Sequence, residues 1–167
     1  MSILELFLYL TFINWSIVSC LYLLVKNDER LFLVEIYWVL GIPFLALCAM
    51  LIEALLEDPS FNLRQVLVNV LVLVWGIKLS WYFYKRKKEN VKGSVYLHNE
   101  IKSGSGEGLK NYQRIFLTMG LIQIIAIAPL LSLNYLPGPS SLNLLDFVGF
   151  ILFFLGFYIE TKSDKEL

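Results

Sequence analysis

Five apolar runs, each close to 20 residues long, constrain this chain more than any other feature of its sequence. They cover residues 3–25, 31–56, 66–84, 115–136 and 143–159. A bilayer core about 30 Å thick is crossed by roughly 20 helical residues. Inside that core every backbone N–H and C=O must find a partner within the protein, which leaves helices or closed barrels. Ten-residue stretches of alternating polarity are absent, so a barrel is excluded. The predicted fold is all-α: a polytopic membrane bundle of five transmembrane helices forming one domain over residues 1–167.

Composition agrees. The chain is 57% hydrophobic and 17% charged, against roughly 45–50% and about 25% in an ordinary soluble domain. Fourteen basic residues balance fourteen acidic ones, so no nucleic-acid footprint exists. Cys20 and Cys48 lie inside apolar runs and His98 is the sole histidine, which argues against a disulfide framework or a metal centre. The opening Met-Ser-Ile-Leu-Glu lacks a basic region and its apolar run is too long for a cleaved leader.

Sidedness follows from the connections. Lys26, Arg30, eight Lys or Arg within the loop 85–114, Lys162 and Lys165 fall on one set of alternate sides. Only Arg64 falls on the other, with Lys78 inside the third span. Basic loops stay cytoplasmic, so the N-terminus is expected outside and the C-terminus in the cytoplasm. Trp81, Tyr82 and Tyr84 precede Lys85, and Tyr135 lies at the other side, as interfacial belts do. The glycine-rich stretch 102–108 reads as a linker, since it lacks a preceding strand and an in-register lysine for a phosphate cradle. Lys85, Arg86, Lys87 and Lys88 suit anionic lipid headgroups, and membrane lipids are the expected partners.

Ionisable residues at membrane depth are the informative ones. Glu5, Glu35 and Glu53 lie near span ends, where hydrated carboxylates are ordinary, and Lys78 is close enough to a boundary to snorkel. On the last span Asp146, Gly149, Phe153, Gly156, Glu160 and Asp164 recur at helical spacing along one stripe. Its glycines would admit a neighbouring helix or a flat ligand. Glu160 and Asp164 are either a solvated helix end or acceptors for a ligand bearing amide or hydroxyl donors. Asn69, Gln123 and Pro129 read as interhelical glue or a kink. No internal repeat with broken helices marks a transporter, and no filter sequence marks a channel.

The order of several motifs resembles the DUF1295 family, membrane relatives of the steroid 5-alpha-reductases. Glu35, Trp38 and Gly41 resemble its Asp-x-x-Trp-x-x-Gly, and Arg64 followed by Trp75-Gly76-Ile77-Lys78-Leu79 resembles its Arg, then Trp-Gly-x-Arg-Leu. Gln123 with Pro129, and Asp146-x-x-Gly149 through Glu160-x-x-x-Asp164, follow in the same order. Glu35 stands for the family's Asp and Lys78 for its Arg; Tyr96 is the remnant of a central-loop motif.

The resemblance implies an NADPH-dependent reductase that saturates an activated C=C bond of a lipid, steroid or isoprenoid. It assigns Glu160, Asp164 and Lys78 to the cofactor and Glu35, Trp38, Gln123 and Asp146 to the substrate side or bundle interior; it names no catalytic group and no metal. The family continues with a Gly-Leu-Trp…Ser-Arg-His-Pro-Asn-Tyr segment that holds much of the cofactor. The expectation is therefore that activity needs a C-terminal part, supplied by a separate polypeptide if this chain is one half. The alternatives are a non-enzymatic subunit that keeps the scaffold without the chemistry, and a protein like the isoprenylcysteine methyltransferases.

Overall fold

The computed structural model describes residues 2–25, 32–56, 62–88, 116–136 and 141–166. Among these residues all regular structure is helical, in five elements: α1 (Ile3–Val25), α2 (Phe32–Leu56), α3 (Leu63–Lys88), α4 (Thr118–Tyr135) and α5 (Leu144–Glu166). All five are long and apolar enough to cross a membrane. The spans expected at 66–84 and 143–159 are longer than apolarity alone suggests: α3 runs on to Lys88 and α5 to Glu166. Charged residues near a span end continue a helix readily, because they reach interfacial water. Glu160 and Asp164 therefore sit on the helix itself. The first connection with Lys26 and Arg30, residues 89–115 of the basic loop with Tyr96 and His98, and residues 137–140 lie outside the described residues.

Three helices begin with side chains that occupy their otherwise unpaired first N–H groups. Ser2 and Glu5 bond reciprocally, Ser2 N to Glu5 Oε2 at 2.8 Å and Glu5 N to Ser2 Oγ at 3.2 Å. Asn143 and Asp146 do the same at 2.7 and 3.1 Å. At α3 the Asn62 N–H donates to Gln65 Oε1 at 2.9 Å. These are capping boxes, in which a carboxylate or amide three residues on reaches back to the cap. Glu5 is thus an end-cap rather than an intramembrane charge.

The core lies among α1, α2 and α4. Leu6, Leu10, Leu45, Ala46, Ala49, Ile124, Ile127 and Leu131 are buried together, and Val18, Val34 and Phe116 form a second cluster. The α3 helix packs along α2 at Gly76, where an added Cβ would come within 2.8 Å of the Pro43 ring. Pro43 lacks an N–H, so Val39 O loses its helical donor at that level, and the small Gly76 lets α3 close on this irregular stretch. Gly41 serves α4 similarly: a Cβ there would collide with the Gln123 amide.

The α5 helix is different. None of its described residues is buried, and its half-buried positions (Asp146, Phe150, Phe153, Phe157, Glu160, Thr161 and Asp164) form one stripe facing the bundle. Gly149 and Gly156 lie beside that stripe, exposed, with no described atom within 4 Å of a Cβ built on either. The close approach expected at these glycines does not occur among the described residues.

Candidate functional site

Polar side chains tie α5 to α3 in two places. At one end Arg64, in the first turn of α3, meets Asp146 in the first turn of α5 at 2.6 Å, and also donates to Ser141 O at 3.4 Å. Fourteen residues further along α3, and about 21 Å away at 1.5 Å per residue, lies the second connection. There Lys78 Nζ is 2.5 Å from Asp164 Oδ2 and 3.5 Å from Glu160 Oε1. The indole Nε1–H of Trp75 donates to Glu160 Oε2 at 3.1 Å. The Lys78 ammonium also lies 5.5 Å from the centroid of Phe157, whose ring stacks on Phe153 at 6.0 Å.

This arrangement follows from two helical repeats meeting. Trp75 and Lys78 are three apart on α3, and Glu160 and Asp164 are four apart on α5, so each pair shares one face. The two helices run in the same direction, because Arg64 pairs with Asp146 and Lys78 with Asp164. Each acid is then matched with a donor. Counted as charges, Lys78 balances one acid and one negative charge remains. Lys78, Glu160 and Asp164 keep 20%, 27% and 16% side-chain exposure, so water still reaches them. Beyond the cluster Trp81 and Tyr84, both exposed and 5.9 Å apart, precede Lys85, as an interfacial belt would.

A second group of buried polar residues joins α1, α2 and α4. Asn14, fully buried, donates to Gly120 O at 3.1 Å and accepts from the Tyr37 hydroxyl at 2.7 Å. Gln123 Nε2 donates to Tyr37 O and Trp38 O at 3.0 and 3.1 Å. A third group joins α3 to α4: Gln65 Nε2 donates to Leu133 O and Asn134 O, and Asn69 Nδ2 donates to Asn134 Oδ1. Such bonds hold helices together in the bilayer, each contributing about 0.6 kcal/mol.

A family model described as "Protein of unknown function (DUF1295)" matches residues 21–167. The chain belongs to the DUF1295 family. No curated protein and no solved structure matches it.

In this DUF1295 protein the three residues expected at a cofactor (Lys78, Glu160 and Asp164) come together. Of the four expected on the substrate side or in the interior, Gln123 meets the Trp38 backbone, whereas Asp146 lies apart from them. Gln123 is buried, but it bonds the α2 backbone. Asp146 caps α5 and pairs with Arg64 at the far end of α3. Glu35 is half-buried near the start of α2. Trp38, expected inside, is 38% exposed, because the α2 face toward α4 is taken by Tyr37 and Gly41. Sequence reasoning gave no role to Asn14, Tyr37 or Asn134, and quoted Trp75 only as part of a motif. One available signal was Asn14, an amide in the middle of an apolar run. No group of three or more His, Cys, Asp or Glu able to hold a metal occurs among the described residues.

The donor set decides which chemistry suits the cluster. Carboxylates accept hydrogen bonds from amide N–H and hydroxyl groups, so Glu160 and Asp164 are suited to a ligand that carries such donors. Their excess negative charge disfavours a phosphate at the same place. Lys78 does not reverse this, since Asp164 already holds its ammonium.

Proposed function

We propose that this chain is the membrane-embedded part of an NADPH-dependent reductase that saturates an activated carbon–carbon double bond in a lipid. The observation that carries the reading is the meeting of Lys78 with Glu160 and Asp164. These are the residues that the family resemblance assigns to the cofactor, and they join from positions 82 and 86 residues apart. Bound NADPH would supply a hydride to the double bond. In this reading Glu160 accepts a hydrogen bond from the carboxamide or ribose end, and Lys78 fixes Asp164 and keeps α5 in register on α3. The phosphates are held by groups outside this cluster, in keeping with its surplus negative charge. The lipid reaches the site from the bilayer, and the cofactor enters from the side carrying the basic residues.

A second reading, a non-enzymatic subunit built on the same scaffold, is favoured by one feature: both acids already have partners on α3. One experiment separates the two. NADPH binding is measured on the purified chain alone and on the chain co-expressed with a polypeptide carrying the Gly-Leu-Trp and Ser-Arg-His-Pro segment. The reductase reading expects binding and NADPH oxidation in the second case, with binding weakened about ten-fold or more in Glu160→Ala. No binding and no oxidation with the second polypeptide present would leave the scaffold reading standing.

A further inference from the structure

The two acids of the α3–α5 cluster are not equivalent, and their partners explain why. Asp164 sits 2.5 Å from Lys78 and is the less exposed of the pair, at 16% against 27%. Its charge is matched at contact distance by an ammonium. Glu160 has that ammonium only at 3.5 Å on Oε1, and its Oε2 accepts from a neutral donor, the Trp75 indole. An indole N–H donates one bond in a fixed direction and has no accepting capacity. It can therefore hold a carboxylate in place without neutralising it.

Trp75 is itself well fixed. It is half-buried on the α3 face toward α5, next to Gly76, where α3 closes on the Pro43 ring of α2. That contact ties Trp75 to the packed bundle, whereas none of the described side chains of α5 is buried. The direction of control thus runs from the bundle, through the indole, to the acid on the loosely covered helix.

We propose that Trp75 is a positioning residue that acts through Glu160: its indole N–H fixes the Glu160 carboxylate so that the remaining charge faces a ligand's N–H or O–H donor. This rests on the cofactor reading above and deepens it. Asp164 and Lys78 form the structural pair, and Glu160 with Trp75 the recognition pair.

A double-mutant cycle tests this, with Trp75→Phe keeping an aromatic side chain but removing the donor; the Glu160→Ala background controls for the lost volume of the indole. It is run on the chain with its co-expressed C-terminal polypeptide, and NADPH binding is read by titration. Loss of one charge-assisted hydrogen bond predicts that Glu160→Ala weakens binding by about ten-fold or more. Trp75→Phe is expected to weaken it several-fold in the wild-type background and not at all in the Glu160→Ala background. An equal loss in both backgrounds, or none in the wild type, overturns the proposal.

A second arm needs no ligand. Thermal unfolding should show Asp164→Asn clearly less stable than wild type, while Glu160→Gln stays close to it. Equal destabilisation by the two substitutions overturns the division of roles even if no NADPH is bound. Absence of binding by the wild-type pair, with the stability difference present, instead removes the cofactor reading and leaves the division of roles in place.

Discussion

Lys78→Met replaces the ammonium with an apolar side chain of similar length and leaves Glu160 and Asp164 facing each other. The loss can be worked from the geometry. Two unit charges about 4 Å apart interact by roughly 4 kcal/mol at an effective dielectric constant near 20. Lys78 makes two contacts inside that distance, at 2.5 and 3.5 Å, a gross attraction of about 8 kcal/mol. The exposures of 16–27% mean that water still solvates all three groups, and the cost of their partial dehydration offsets about three quarters of the attraction. Like charges four apart on a helix add a few tenths of a kcal/mol of repulsion once the lysine is gone. The expected net loss is about 2–3 kcal/mol. With roughly 2–4 °C per kcal/mol for a chain of this size, the unfolding midpoint in detergent should fall by about 4–12 °C by circular dichroism. Neutralising the acids as well, in Lys78→Met/Glu160→Gln/Asp164→Asn, should recover most of that loss, because no unpaired charge is then left at the seam. A Lys78→Met chain as stable as wild type, or a triple variant no better than the single one, would refute the electrostatic account of how α5 is held.

The glycines give an internally controlled series on stability. Gly41→Ala and Gly76→Ala force a Cβ into Gln123 and Pro43 and should destabilise by about 1–3 kcal/mol. Gly149→Ala and Gly156→Ala meet open space and should be neutral or stabilise by up to about 1 kcal/mol, read by the same thermal scan. Arg64→Ala should destabilise by about 1–2 kcal/mol through loss of its bonds to Asp146 and Ser141 O. Its effect should add to that of Lys78→Met, since the two ties are well separated; strong non-additivity would show that α5 is held as one unit. For topology, single cysteines in place of Ser2 and Ser163, with Cys20 and Cys48 replaced by Ala, should react with an impermeant maleimide in intact cells at position 2 and not at 163. The reverse pattern would overturn the sidedness drawn from the basic residues.

What the residues alone determined is what depends on sums along the chain. Burying about 20 apolar residues is favourable wherever they lie, so five spans and an all-helical bundle were legible without any contact being known. The spacing of Glu160 and Asp164 was legible for the same reason, since helical pitch puts them on one face. Which residues meet across helices was not, because it depends on relative rotation and on small residues far away in sequence. Trp38 was expected on the substrate side or in the interior; Tyr37 and Gly41 occupy the α2 face that α4 covers, and Trp38 is left 38% exposed. Gly149 and Gly156 promised close packing, but the nearest tie from α5 is the polar seam along Asp146, Glu160 and Asp164. The exchange of partners among Trp75, Lys78, Glu160 and Asp164 was decided only in three dimensions. It requires that two parallel helices stand in a register where a pair spaced by three residues on one and a pair spaced by four on the other bring matching donors and acceptors level.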